Sequence, residues 1–504
     1  MASGKMPVID ALALARTNMK IYGEEVNLER SVPDFRDGLK PVARRVLVSM
    51  NDIMGLRSTR GVKTAKVAGH CIGTYHPHAD TGASDAAVTQ VNLPFPPIEG
   101  IGNWGTLVSG AGSPRYTNVA FTNYGRSFFS KHYHVLVDKV PNYDSSTKEP
   151  LCLAALFPNI LFQGIMGIGV GIRTSIPAFS PISVLKLMNR LLEGEKLTPE
   201  DYARSLKFVN QYGGCIAKTK ENFKAAVELF SSTKGSIRWK SPLIIDEDTK
   251  SITIDSFAPN INPVEILDKK VKLIPEVKSV YSGKGLSYVI EVDRKCNMAQ
   301  FNAVVAKVDS MFSTSMSYDI YVTERTLVDA ESGKYKVDFH NLSIPSLVIR
   351  WLKWRLKLEA DSLDYQIKQA EDRINFLNLL VLACDNLKII FDAIRTQAPA
   401  DYLVKHLEIS LEDANVILDR KVRNLSKMDK SKLQTELKTV KDHHGKLKIK
   451  RKSPRKEVIA FFQHSITQIE AYQKFAGTRQ FKLKSVPASV NALGEDDVEE
   501  TTEE

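Results

Sequence analysis

The sequence predicts a multidomain α+β protein in three parts: a block of short basic helices, a middle block of strands mixed with helices, and a long helix patterned for a coiled coil. Three observations carry that prediction. At 504 residues the chain exceeds what one hydrophobic core organises and should divide into about three domains. Near residue 150 the texture changes from Lys- and Arg-rich helical segments to short β-branched runs. After Pro345 there is no proline until Pro399, and apolar or small residues recur at 356, 360, 363, 367, 370, 374, 377, 381 and 384, in alternating steps of four and three.

Taken in order, residues 18–29 read as a largely helical lead. Residues 41–54 form a helix, with Pro41 in the first turn, where a missing N–H is harmless, and Val42, Val46 and Met50 along one face. Another helix is expected over 63–72, and a fourth begins near Ala79. Such short, cationic helices suggest a helix-turn-helix type DNA reader. In the middle block, SITID (251–255) and YVIEV (288–292) read as strands, and 182–192 and 297–308 as helices, so this block is predicted as a separate α+β domain. Following the heptad helix, a return helix is expected at 457–472, which would complete an antiparallel pair.

The charge is uneven. There are 69 Lys and Arg against 58 Asp and Glu, yet residues 494–504 hold seven carboxylates and no cation, so the rest carries 69 against 51, or +18. That balance favours a polyanionic partner, since each cation set on a phosphate releases a counterion. The acidic end reads as a solvated, disordered tail that lends solubility or competes with DNA for basic surface. The five cysteines are scattered and form no CxxC pair, which fits a reducing cytosol and neither a disulfide framework nor a structural zinc site. The first residues do not read as a signal peptide. Residues 151–172 run without a charge, but Pro158, Asn159, Gln163 and four glycines break them up, so buried turns are expected rather than a membrane span.

The chemistry concentrates in three motifs: RDGLKPVARR (36–45), YHPH (75–78) and RY (115–116). Phenols ionise only near pH 10, so a nucleophilic tyrosine needs a proton acceptor, a cation or a metal-polarised phosphate. Arg115 adjoins Tyr116, and His76 and His78 are the nearest upstream groups able to move a proton. Attack on a DNA phosphate would give a phosphotyrosyl ester that conserves the bond energy for resealing. Three other patterns lead elsewhere. GIGNWG (100–105) fits GxGxxG, but Pro94, Pro96 and Pro97 argue against the strand a dinucleotide site requires before it. His76 and His78 lack a third metal ligand at a usual spacing. Asp246, Glu247 and Asp248 read as an exposed turn between strands.

These motifs, in this order, closely resemble the A subunit of bacterial and phage type IIA DNA topoisomerases, the DNA gyrase A and topoisomerase IV A family. The likeness runs from about residue 30 to 395 and more weakly to about 433. It implies an N-terminal arm (1–29), a winged-helix type DNA-cleavage domain (30–150), an α+β tower domain (151–340), a coiled coil with a helical dimerisation tip (341–480) and the acidic tail (481–504). LEDANVILDRKVRNLSKMDKSKL (411–433) resembles the tip. Carried over by position, Tyr116 is the nucleophile that forms a 5′-phosphotyrosyl bond, with Arg115 beside it. Arg30 and His78 hold the scissile phosphate. Lys40, Arg44, Arg45, Lys63, Lys66 and His76 contact DNA, mostly its backbone. Ile168, in GIGVG (167–171), matches an isoleucine inserted between base pairs to bend DNA. Thr81 and Asp85 match the quinolone-contacting Ser and acidic residue.

Departures from the family pattern are Ala43 for a usual His, Thr74 for Lys and Ala79 for Gly. One acid or base is thereby missing, which shifts any proton-transfer role onto His78. The sequence shows neither a Walker loop nor an acidic metal-binding domain, so the resemblance implies a B-type ATPase/Toprim subunit that hydrolyses ATP and holds Mg²⁺. The assembly would be a cytoplasmic heterotetramer, with two copies of each polypeptide, that works on double-stranded DNA without a membrane. Because the chain ends without a β-rich wrapping domain, relaxation or decatenation is expected rather than negative supercoiling. Two rivals stand beside this reading. One is a non-catalytic architectural DNA binder and the other a coiled-coil scaffold whose charge is incidental.

Overall fold

The computed structural model describes residues 10–56, 61–78, 80–283, 285–419 and 430–476. Two compact units are present, one of residues up to Arg355 together with those from Phe461, the other Leu356–Ala460.

In the first unit, helix α1 (Ala11–Val26) starts at Asp10, whose carboxylate accepts from the Leu12 N–H. The helix runs on into a π-helical turn, Asn27–Ser31. After a buried segment come α2 (Pro41–Met54), α3 (Thr64–Thr74) and α4 (Asp80–Val91), which pack on one another. Their shared core includes Val46, Leu47, Met50, Val67, Cys71, Ala83 and Ala87. Strands β1 (Val62–Lys63), β2 (Ile98–Ile101) and β3 (Asn118–Phe121) form an antiparallel sheet in the order β1-β3-β2. Helices α2, α3 and α4 stand within two residues of the expected positions, whereas α1 starts at Ala11, before the expected 18–29. A short hairpin follows, β4 (Lys139–Pro141) and β5 (Lys148–Pro150).

The charge-free stretch is buried through Gln163, partly as a one-turn helix (Asn159–Gln163), and then enters a hairpin, β6 (Ile165–Ile168) and β7 (Arg173–Ile176). Among the described residues no single helix is long and apolar enough to cross a membrane. A five-stranded sheet, β6-β7-β14-β9-β8, includes β8 (Cys215–Ile216), β9 (Lys234–Lys240) and β14 (Ser313–Asp319). A four-stranded sheet, β10-β11-β13-β12, takes β10 (Ile244–Asp246), β11 (Ser251–Ile254), β12 (Val277–Ser282) and β13 (Tyr288–Val292). Asp246–Asp248 lies at the β10–β11 turn, as the sequence indicates. A last hairpin, β15 (Tyr321–Asp329) and β16 (Lys334–Asn341), closes the segment.

Residues 30–150 and 151–340 belong to one unit. The backbone of Phe35 donates to the Thr323 carbonyl at 3.0 Å, and Thr323 N–H to that of Pro33 at 2.9 Å. Beneath this join lies a buried ion network. Arg36 grips Asp34 through Nε and Nη2 at 2.9 and 2.8 Å and donates to the Arg325 carbonyl, while Arg44 grips Asp37 at 2.6 and 3.0 Å.

In the second unit, the long helix α5 (Ile344–Asp385) keeps all nine heptad positions from 356 to 384 buried or half-buried. Its antiparallel partner is α6 (Lys430–Arg451), through Leu363, Ile367 and Ala370 against Val440 and Leu447. The expected return helix is present in part: residues 457–472 are helical, within α7 (Pro454–Ala476), and Phe462 stacks on Trp351 near the start of α5, while α6 supplies the seam at 363–370. Leu433, Leu437, Val440, His444, Leu447 and Arg451 again alternate by four and three. Two of these positions are polar and are satisfied by Glu371 and Asp364, which hid the pattern from a reading of apolar residues. At the far end of α5, Leu379, Leu380 and Ala383 join Ile390, Ala393, Leu403, Ala414 and Ile417 in a small core. Leu411–Leu418 is a helix of this cluster. Residues 420–429 of the expected tip, residues 1–9 of the arm and the acidic tail lie outside the described residues.

Candidate active site

Tyr116 stands on the loop entering the central strand β3, and its presentation follows from how that loop is anchored. The carbonyls of Pro114 and Thr117 accept from the first amides of α3, Ala65 N–H at 3.2 Å and Thr64 N–H at 3.1 Å. These are donors that a helix cannot satisfy internally. The Thr64 and Thr117 hydroxyls meet at 2.8 Å beneath them. With Thr117 buried and its neighbour turned outward, Tyr116 is 70% exposed. Arg115 lies over its ring, the guanidinium carbon 5.1 Å from the centroid. Lys63, paired in register with Asn118, and Lys66, on the first turn of α3, are exposed close by in the fold.

The glycine motif behind this loop is structural. Strand β2 does reach into it, contrary to the expectation from the prolines, because Pro97 ends just before β2 starts. No helix follows, however. A Cβ at Gly100 would strike the Trp104 ring, and Asn92 holds the Trp104 carbonyl at 2.9 Å.

A second group gathers at Arg45. Its guanidinium makes two hydrogen bonds to Glu149, at 2.7 and 2.9 Å, lies 3.6 Å from Glu29, and reaches His76 Nδ1 at 3.3 Å. Burial, then Arg45 and His78, push the His76 imidazole down to about 4, with Glu29 opposing. Arg45 is a permanent donor, so His76 Nδ1 accepts and Nε2 carries the proton. The His76 and His78 rings stack, centroids 4.6 Å apart, and His78 is exposed.

The third group brings Arg30, Lys40 and Ile168 together. Asn27 pairs with the Val170 backbone in both directions, at 2.9 and 3.0 Å, and Ser31 donates to the Ile168 carbonyl at 2.7 Å. Glycine permits that approach, since a Cβ at Gly167 would collide with the Ser31 carbonyl and one at Gly169 with the Asn27 side chain. The π-helical turn thus leaves Arg30 exposed. Lys40 donates to the Met166 carbonyl at 2.7 Å, and its ammonium is pulled below the usual range by burial and by Arg30. Ile168, at the end of β6, is 76% exposed.

Arg44 sits elsewhere than expected for a DNA contact. It is buried against Asp37 and the Leu39 carbonyl. Burial disfavours its charge, yet Asp37 outweighs that and holds the guanidinium above its ordinary range. Asp37 also accepts from the Leu39 and Leu153 amides at 3.0 and 2.8 Å. The sequence reading passed over Asp37, although an aspartate inside a cationic run was a signal. Glu149 and Thr64 carried no comparable mark. Thr81 and Asp85 lie one turn apart on α4, both exposed. Among the described residues, Tyr116 shows no side-chain hydrogen bond to Arg30 or His78.

Residues 30–466 match the family of the DNA gyrase/topoisomerase IV A subunit. The chain belongs to that family. It is 30% identical to the DNA gyrase A subunit of Campylobacter fetus over 439 residues, 83% of this chain and 49% of that protein. Against the DNA gyrase A subunit of Streptococcus pneumoniae it is 27% identical over 435 residues, 82% of this chain and 51% of the other. The Dehalogenimonas lykanthroporepellens DNA gyrase A subunit is 25% identical over 487 residues, 92% and 57% of the two chains. The chain thus spans about half the length of the curated relatives it matches. In this gyrase A-family chain no three His, Cys, Asp or Glu side chains converge as a metal site among the described residues.

Proposed function

We propose that this chain is the breakage–reunion subunit of a type II DNA topoisomerase, with Tyr116 the nucleophile. The observation that carries this reading is an exposed phenol on a loop pinned to a helix N-terminus, with a guanidinium over its ring. The phenol oxygen attacks the phosphorus and the P–O3′ bond breaks. A 5′-phosphotyrosyl ester forms, the phenol proton leaves to a base, and the 3′ oxygen departs as a hydroxyl; resealing reverses each transfer. Arg30 and His78 hold the phosphate and His78 moves the proton, because His76 is committed to Arg45. Lys40, Lys63 and Lys66 place the backbone, and Ile168 wedges the duplex.

The first unit reads as winged-helix cleavage and tower elements, the second as coiled coil and dimerisation tip. ATP hydrolysis and Mg²⁺ enter with a B-type partner in a heterotetramer, and duplex passage relaxes or decatenates DNA. The test is detergent-trapped plasmid cleavage with the partner and Mg²⁺. Wild type should give protein covalently joined to linear DNA, and Tyr116→Phe none. Loss of all covalent product in wild type, despite assembly and tight DNA binding, would favour an architectural DNA binder.

A further inference from the structure

The two helices of the second unit differ sharply in charge. Within this unit α5 carries three Lys or Arg against six Asp or Glu, whereas α6 carries eight cations and two carboxylates. The ion pairs between them use the cations nearest the seam: Lys430 with Asp385, Lys448 with Glu371 at 3.1 Å, and Arg451 with Asp364 at 2.6 Å. Of the two α6 carboxylates, Glu436 is taken by Arg373, which leaves Asp442. Lys432, Lys438, Lys441, Lys446 and Lys452 are exposed and form no ion pair among the described residues. Arg455 and Lys456 add to them in the first turn of α7, the electropositive end of a helix, where cations are least favoured.

This face is not neutralised by its own fold. Lys450 is met by Glu457 at 3.3 Å, but Lys438 and Lys441, one turn apart on α6, are like charges without an ion pair among the described residues. From Lys438 to Lys452 the strip runs about 21 Å at the helical rise. Duplex DNA presents one charge per about 1.7 Å of axis, so that length meets about twelve phosphates. A membrane surface fits less well, because the apolar stripe of α6 is used against α5 and Ile449 is its exposed large apolar side chain.

We propose that the outward face of α6, continued through Lys452 into the start of α7, is a second contact for the sugar-phosphate backbone of duplex DNA, independent of sequence and separate from the Tyr116 site. Lysines suit that task as flexible point charges that do not read base edges. The proposal rests on the reading that this chain handles DNA, but not on cleavage.

The experiment measures binding of a labelled 30-bp duplex to the full-length chain across salt concentrations. The variant changes Lys438, Lys441, Lys446 and Lys452 to Gln, and a companion changes the same four to Arg. Gln should make the log–log salt slope shallower by about 3.6, at about 0.9 for each of four lost phosphate contacts, and so weaken binding by well over tenfold near 0.1 M salt. The Arg companion should bind as wild type does. Unchanged affinity and slope in a Gln variant with wild-type helix content would overturn the proposal. So would unchanged duplex binding with lost retention on phosphatidylserine vesicles. The covalent-complex assay, run alongside, separates the two readings. A wild type that cleaves while its slope is insensitive to the four lysines refutes only the second contact, and a slope change without cleavage refutes only the Tyr116 chemistry.

Discussion

Between Arg45 and His78, the His76 imidazole is held neutral by burial and by two neighbouring positive or titratable groups. Its folded value of about 4 lies below the ordinary imidazole value near 6.5. Between those two pH values the unfolded chain binds a proton that the folded chain does not. This contribution to stability is therefore complete above about pH 6.5 and is lost as pH falls toward 4. NMR titration of the His76 ring in the free protein should show a midpoint near 4, assigned by its absence in His76→Gln; a midpoint near 6.5 would exclude the arrangement. The candidate residues Tyr116, Arg115 and the two histidines could be picked out because they sit in compact motifs. Which cations face water was not legible. Arg44 and Arg45 are neighbours with the same chemistry, yet one is sealed against Asp37 and the other against Glu149, 104 positions away. That choice is made by tertiary packing, which no local pattern records.

At the scale of elements, glycines separate two roles. Gly69, in the middle of α3, has nothing within 4 Å of where a Cβ would stand, so only its conformational freedom distinguishes it. Gly69→Ala should stabilise the first unit by about 0.5–1 kcal/mol. Gly167→Ala places a methyl on the Ser31 carbonyl, forcing β6 from the turn that carries Arg30, and should destabilise by about 1–3 kcal/mol. Urea unfolding followed by tryptophan fluorescence reads both, because all four tryptophans, Trp104, Trp239, Trp351 and Trp354, lie in the first unit. Equal midpoints for the two variants would contradict the close approach. Strand and helix positions were well marked where apolar periodicity was clean, as in YVIEV, whose strand bounds match. The α6 part of the pairing escaped because α6 uses His444 and Arg451 in its seam, so a hydrophobic pattern alone pointed only to the more apolar α7, which meets the start of α5.

Across the whole first unit, Asp34, Asp37, Arg36, Arg44 and Arg325 make the motif RDGLKPVARR less a row of DNA contacts than the junction of segments nearly 300 residues apart. Asp34 is fully buried. Burial raises its carboxyl, but Arg36, through charge and hydrogen bonds, with Arg44 and Arg325, outweighs burial and holds it below the ordinary range. A depressed carboxyl stabilises the fold fully above its unfolded value, about 3.9, and loses that contribution as pH falls through the folded value. Replacing Asp34 by Asn leaves Arg36 buried beside a neutral partner. Removing one member of a buried pair costs about 3–5 kcal/mol. Asp34→Asn should therefore lower the urea midpoint of the first unit markedly at pH 7, and its unfolding free energy should depend less steeply on pH below 4 than that of wild type. Because fluorescence isolates this unit, the loss can be assigned without assuming that the whole chain unfolds in one step. A variant as stable as wild type at pH 7 would mean that water, not Asp34, compensates Arg36, and the junction would then rest on Asp37 and Arg44 alone.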